Sequence, residues 1–143
     1  MIRRDYPDRP IVGVLAVVLR AGRVLLVQRV RGSFIGRWGF PGGLQELGET
    51  IVAAALRELG EETGITAIAR AGLPAFDVIV PDAAGRIEHH WTLVPVVCAW
   101  ESGEVRASDE VVAWRWLAPD EMPGAGIDLL PDVERLARLA LTA

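Results

Sequence analysis

The chain has 143 residues, of which 51% are hydrophobic and 24% charged, a composition typical of soluble globular proteins. This length suits one hydrophobic core, so we expect a single domain over residues 1–143. The net charge of −4 argues against a nucleic-acid partner, because binding a phosphate backbone needs a basic surface. The apolar run Ile11–Leu19 is far shorter than the ~20 residues of a membrane helix, so no membrane partner is expected. With the lone Cys98 unable to form an internal disulfide, we expect a cytoplasmic protein.

The first third of the chain predicts a hairpin followed by a loop. After a polar lead-in over residues 1–10, the valine-rich run Ile11–Leu19 is typical of a strand that is buried on both faces. Ala21-Gly22 is a turn signal, and Val24–Val27 predicts the returning strand. Arg29–Arg37, with two glycines and three arginines, predicts a loop.

One amphipathic helix is predicted from Thr50 to Gly64, where glycine suits the left-handed conformation that often ends a helix. Spacing residues at 100° predicts a core-facing side that consists of Val52, Ala55, Leu56, Leu59 and Thr63. Three glutamates, Glu58, Glu61 and Glu62, cluster on the adjacent side of the same helix.

Strands and a terminal helix are predicted for the second half of the chain. Pro95 interrupts the longest strand signal and indicates a sheet edge or a bulge at that point. Such a mixture predicts a mixed sheet that is covered by helices. The predicted strands are 65–69, 75–80, 87–100 and 111–117, and the predicted terminal helix is 131–141.

The three helical glutamates break several local rules at once. Glutamates three or four residues apart repel each other by roughly 0.2–0.5 kcal/mol per pair. Gly60 within the same turn costs about 1 kcal/mol relative to alanine. A solvated acidic face is the simpler interpretation of such a run. Oxygen-only ligands, however, suit a hard cation such as Mg²⁺ or Mn²⁺, which would offset the repulsion.

A longer motif around these glutamates resembles the Nudix box. Gly43, Glu49 and the run Arg57–Ile65 meet every fixed position of the family pattern G-x5-E-x7-R-E-U-x-E-E-x-G-U, in which U is aliphatic. The motif covers 23 of the 143 residues, and so many fixed positions make a chance match very improbable. The flanking Leu25–Arg29 and Trp38–Gly43 are also similar to the family.

The resemblance implies an α/β fold, an α/β/α sandwich with a mixed β-sheet, and Mg²⁺-dependent pyrophosphohydrolysis, with Mn²⁺ as an alternative metal. It implies that Glu49 and Arg57 form an ion pair that orients the carboxylates, and that Glu58 and Glu61 also belong to the catalytic set. Glu61 and Glu62 are the strongest candidates among the implied metal ligands, which are Gly43, Glu58, Glu61 and Glu62.

The general base is left open by the resemblance, between a box glutamate and an acid outside the box. Glu110 is our choice, because it precedes the last predicted strand, where MutT-like members carry a functional glutamate. Asp109 beside it is expected to be solvated. His89 has no assigned role, since a histidine that begins a strand is more often structural than substrate-binding.

A small-molecule nucleotide is the implied substrate. Arg29 and Arg37, which flank the loop before the box, are candidates to contact its phosphates, and Phe34 is a candidate to stack on its base. The string Phe76-Asp77 with Gly85–His90 resembles ADP-ribose pyrophosphatases, which favours ADP-ribose or a related nucleotide sugar. A MutT-like enzyme acting on nucleoside triphosphates is the alternative. A ligand-binding regulator is disfavoured, because the box carboxylates are complete. Homodimers are common in the family.

Overall fold

The computed structural model describes residues 3–143, which form one mixed sheet and two α-helices. A short 3₁₀ helix at Pro119–Glu121 precedes the second α-helix. The first two residues of the predicted lead-in lie outside the described residues. In chain order the elements are β1 (Ile11–Arg20), β2 (Arg23–Gln28), β3 (Trp38–Gly39), β4 (Gly42–Leu44), α1 (Ile51–Thr63), β5 (Thr66–Gly72), β6 (Phe76–Pro81), β7 (Ile87–Ser102), β8 (Trp114–Leu117) and α2 (Val133–Leu141).

The sheet is mixed because its two central strands run parallel. β1 pairs with β7 in parallel over nine residue pairs, from Ile11 with Trp91 to Leu19 with Ala99. All other pairings are antiparallel, and the central order is β3-β2-β1-β7-β5. β4 adds to β1, β6 to β7 and β8 to β2. The predicted hairpin of the first two strands is therefore confirmed.

One helix covers each face of this sheet, so the expected α/β/α arrangement is confirmed. Alternate residues of β1 point to opposite faces, and both faces are apolar, which matches the uninterrupted hydrophobic run of the strand. On the α1 face the core includes Val14, Ala16, Ala55 and Leu59. On the α2 face it includes Val17, Leu26, Leu136 and Ala137.

Helix α1 begins and ends where its sequence predicts. The Thr50 hydroxyl accepts a hydrogen bond from the Ala53 amide at 3.1 Å, which caps the N-terminus. Gly64 ends the helix in the left-handed conformation with φ of 80°. The predicted core-facing side is wrong at Val52, which is 43% exposed. Ala54 is buried instead, because the sheet contacts the helix on a side that is rotated towards the glutamates.

Pro95 lies inside the sheet, so its predicted position at a sheet edge is wrong. β7 pairs with β1 along one side, and along the other it pairs first with β6 and then with β5. The carbonyl of Pro95 faces this second side, where it accepts from the Leu73 amide at 3.0 Å. The missing N–H of the proline therefore faces the gap between β6 and β5, where no ladder hydrogen bond is lost.

The remaining elements agree with the sequence apart from their lengths. The last strand is shorter than predicted, because Val111 bonds back to Ser108 and turns the chain before β8 begins. The short strands β3 and β4 were not predicted. Cys98 is buried in the core on the α1 face of the sheet. No helix within residues 3–143 combines the length and apolarity that crossing a membrane would require.

Candidate active site

Three carboxylates converge at the side of α1 that faces β4. Glu58 and Glu62 lie one turn apart on the helix, and Glu110 reaches them from the loop between β7 and β8. One carboxylate oxygen from each lies within 4.8 Å of the other two. Among residues 3–143 this is the one group of acidic, histidine or cysteine side chains with a spacing that suits a metal ion.

The glycine pair of β4 forms the other wall of this cluster. The amide of Gly42 donates to Glu62 Oε2 at 3.2 Å. A Cβ at residue 43 would collide with the carboxyl group of Glu58, and one at residue 42 would collide with the backbone of Val14 in the neighbouring strand. Glycine at 42 therefore lets β4 lie against β1, and glycine at 43 leaves the carboxyl group of Glu58 its observed position.

Burial and mutual repulsion favour the protonated form of two of these carboxyl groups by raising their pKa values. Burial, followed by the charges of Glu58 and Glu110, raises the pKa of Glu62 to about 8. Burial also raises the pKa of Glu58, although Arg57 opposes that shift. A hard divalent cation fits this donor set, because its positive charge would offset the repulsion between three converging carboxylates.

Arg57 fixes the orientation of the surrounding carboxylates. Its Nε and Nη2 donate to the two oxygens of Glu49 at 2.6 and 2.9 Å, and its Nη1 donates to Glu58 Oε1 at 3.0 Å. Nη2 also donates to the carbonyl of Leu44, which ties the guanidinium to β4. These hydrogen bonds lower the pKa of Glu49 and raise that of Arg57. The planar, bidentate geometry is one that lysine cannot reproduce.

Glu61 lies outside the group of three converging carboxylates. Its side chain is 62% exposed, and its Oε2 accepts from Arg57 Nη1 at 3.2 Å. It is nevertheless on the same side of the helix as Glu58 and shares its arginine. A role for Glu61 as a metal ligand therefore stays a prediction.

The three predicted substrate-binding residues lie in different surroundings. Arg29 is close enough to the cluster for the charge of Glu62 to oppose the desolvation that lowers its pKa. Arg37 instead donates to the carbonyl of Leu129 at 2.9 Å and pairs with Asp128 at 3.4 Å, in the segment that leads into α2. Phe34 is 41% exposed, which leaves its ring accessible.

Strain marks the loop that carries these residues. Phe34 has a φ of 64°, which is uncommon for a bulky residue and is often found at functional sites. The Arg29 Nε donates to the carbonyl of Ser33, and the Ser33 hydroxyl lies 3.0 Å from His89 Nε2. His89 therefore contacts this loop, a role that its place in the sequence does not reveal.

Ser108 is a further residue that sequence reasoning missed. Its hydroxyl donates to the backbone carbonyl of Glu62 and accepts from the amides of Glu110 and Val111. A serine that begins a short polar loop is a signal for such a turn, but its partner on α1 is distant in sequence. Asp109 is exposed, and its carbonyl accepts from Arg31.

Comparison with known proteins agrees with this geometry. The NUDIX domain family model matches residues 8–139. An RNA pyrophosphohydrolase from Erythrobacter litoralis is 32% identical over 134 residues, covering 83% of this chain and 81% of the relative. An ADP-ribose pyrophosphatase from Methanocaldococcus jannaschii is 27% identical over 119 residues, covering 83% and 68%.

A solved structure supports the same assignment. The crystal structure of a MutT NUDIX hydrolase from Burkholderia pseudomallei superposes with a TM-score of 0.69 at 33% identity, covering 94% of this chain and 98% of that one. The family match spans the whole sheet, all of α1 and all but the last two residues of α2, and it includes all three converging carboxylates. The chain belongs to the Nudix hydrolase family and is a pyrophosphohydrolase.

Proposed function

We propose that this enzyme hydrolyses the pyrophosphate bond of a nucleoside diphosphate linked to another group, with ADP-ribose or a related nucleotide sugar as the substrate. The observation that carries the proposal is the convergence of Glu58, Glu62 and Glu110 beside the glycine pair of β4. The relative named ADP-ribose pyrophosphatase, which aligns over 83% of the chain, supports the choice of substrate.

The proposed metal is Mg²⁺, with Mn²⁺ as an alternative, held by Glu58, Glu61, Glu62 and the backbone of Gly43. A divalent cation there would neutralise the diphosphate, polarise its P–O bonds and lower the pKa of an attacking water. Arg57 keeps the carboxylate of Glu58 oriented through its 3.0 Å hydrogen bond. The guanidinium of Arg29, whose pKa responds to the charge of Glu62, is the proposed group that offsets phosphate charge.

Glu110 is the proposed general base. Its carboxylate takes a proton from the attacking water, whose oxygen bonds to phosphorus as the bridging P–O bond breaks. For ADP-ribose the products are AMP and ribose phosphate. Glu110 suits this task because it comes from an exposed loop and still reaches the two helical carboxylates.

A second candidate substrate is a nucleoside triphosphate. The MutT NUDIX hydrolase that covers 94% of the chain favours it. The relative named RNA pyrophosphohydrolase adds 5′-triphosphorylated RNA to the substrates worth testing. The net charge of −4 weakens that option, because an RNA chain needs a basic surface beyond the reacting phosphates.

A substrate panel tests the proposal. The purified protein is incubated with Mg²⁺ and, separately, with ADP-ribose, dGTP, 8-oxo-dGTP and a 5′-triphosphorylated RNA oligonucleotide, and the products are separated by chromatography. AMP plus ribose phosphate, at a higher kcat/KM than any other substrate gives, supports the main proposal. If the fastest reaction instead yields nucleoside monophosphate plus inorganic pyrophosphate, the result supports the triphosphate candidate and overturns the main proposal.

The assignment of the base has its own matched pair of variants. Glu110→Gln removes the proton acceptor and should lower kcat by roughly 10²–10⁴-fold, the usual contribution of a general base. Asp109→Asn is the control, because Asp109 is exposed and contacts Arg31 through its backbone carbonyl, which the substitution keeps. A Glu110→Gln enzyme with wild-type kcat would assign the base to another residue.

A further inference from the structure

The loop between β7 and β8 is attached to the last turn of α1 at two places. The amide of Arg106 donates to the carbonyl of Thr63 at 2.9 Å, and the hydroxyl of Ser108 donates to the carbonyl of Glu62 at 3.0 Å. Carbonyls in the last turn of a helix have no partner within the helix. The loop therefore supplies the donors that close the C-terminus of α1.

A single oxygen of this loop contacts both sides of the acidic cluster. Besides donating to Glu62, the Ser108 hydroxyl accepts from the amide of Glu110 at 3.3 Å and from that of Val111 at 3.1 Å. The Ser108 amide donates to the carbonyl of Val111 at 2.9 Å, which closes the turn. Glu110 therefore lies in a turn that the Ser108 hydroxyl connects to Glu62, one of the two helix residues whose carboxylates Glu110 approaches.

We propose that Ser108 is a positioning residue that holds the Glu110 carboxylate against Glu58 and Glu62. Glu110 is exposed, and its backbone is fixed through the hydroxyl of Ser108. Val111, which is 1% exposed, anchors the far end of the turn in the same core cluster as Leu59. These two anchors hold the backbone of Glu110 close to α1, so its carboxylate can reach Glu58 and Glu62.

Loss of the hydroxyl should affect the site more than the fold. In Ser108→Ala the carbonyl of Glu62 loses its donor, and the amides of Glu110 and Val111 lose an acceptor. Burial of Val111 and the bond from Arg106 to the helix end remain, so the loop stays docked. The Glu110 carboxylate then samples more positions, and it spends less time at the cluster.

This inference rests on the proposed role of Glu110, and it is tested first without substrate. Mn²⁺ affinity is measured by isothermal titration calorimetry for the wild type, Ser108→Ala, Ser108→Thr and the control Ser102→Ala, a serine exposed at the end of β7. The Glu110 carboxylate is one of the three oxygen donors whose spacing suits a metal ion. Ser108→Ala should therefore weaken Mn²⁺ binding by roughly tenfold, the lower end of what residues supporting metal ligands contribute. Ser108→Thr keeps the hydroxyl and should restore binding to within about threefold of the wild type.

A double-mutant cycle separates positioning from general loosening. If Ser108 acts through Glu110, adding Ser108→Ala to Glu110→Gln should produce little further loss of Mn²⁺ affinity. On the substrate identified by the panel, Ser108→Ala should lower kcat while KM changes by less than about twofold. Equal losses of Mn²⁺ affinity in both backgrounds, or wild-type affinity in Ser108→Ala, would overturn the inference. An inactive wild type would refute the proposed function, and the Mn²⁺ titrations would still decide the role of Ser108.

Discussion

Replacing Glu62 by glutamine should change how the metal-free protein responds to pH. Glu62 is 8% exposed, and burial together with Glu58 and Glu110 raises its pKa from an ordinary 4.5 to about 8. The folded state therefore holds a proton that the unfolded chain releases. The resulting stabilisation is complete below about pH 4.5 and is lost as the pH rises through about 8.

The size of the effect follows from this shift. At about pH 6 the medium lies two units below the folded pKa, and each unit corresponds to about 1.4 kcal/mol. Raising the pH from about 6 to about 9 should therefore cost the wild type about 2–3 kcal/mol through Glu62 alone. For a chain of this length, 1 kcal/mol moves Tm by about 3 °C, so Tm should fall by roughly 6–9 °C.

Thermal denaturation in EDTA, followed by circular dichroism, measures this dependence. Glu62→Gln stays neutral at every pH, and its amide oxygen can still accept from the Gly42 amide, so its Tm should fall much less over the same range. Glu61→Gln is the matched control, since Glu61 is on the same helix and its side chain is 62% exposed. Parallel Tm curves for the wild type and Glu62→Gln would refute the reasoning.

Three further variants test the surroundings of the cluster. Gly43→Ala places a Cβ against the carboxyl group of Glu58, and calorimetry should show weaker Mg²⁺ binding by at least tenfold. Gly60→Ala meets nothing within 4 Å, and it should raise the free energy of unfolding by up to about 1 kcal/mol, measured in urea, with kcat unchanged. Arg57→Lys loses the bidentate contact with Glu49, and kcat should fall by roughly 10–100-fold in steady-state assays. An Arg57→Lys enzyme with wild-type kcat, or a Gly43→Ala protein with wild-type Mg²⁺ affinity, would contradict the roles assigned to these residues.

The sequence predicted the elements whose signals are local. Thr50 and Gly64 mark the ends of α1, because a cap and a left-handed residue act within one turn. The uninterrupted apolar run of β1 correctly indicated burial on both faces. The fixed spacing of the box glutamates likewise predicted that Glu58 and Glu62 share one side of α1, and their carboxylates do lie together there.

The sequence did not predict contacts between segments that are distant along the chain. Val52 fits the periodicity of a core-facing residue, but the way α1 sits on the sheet leaves it exposed. Pro95 suggested a sheet edge or a bulge, because the sequence cannot show that two different strands pair with the two halves of β7. The contact of Ser108 with Glu62 joins residues 46 positions apart, and no local pattern reveals it.

The change of partner along β7 separates two kinds of variation in this fold. Residues up to Leu93 pair with β6, whereas the second half of the strand, from Val96, pairs with β5, which follows α1 directly. A longer turn between β6 and β7 would thus extend a hairpin at one end of the sheet without changing the part of the sheet against which α1 packs. The length of that hairpin can therefore vary while the pairing of β5 with β7 and the acidic cluster on α1 keep their geometry.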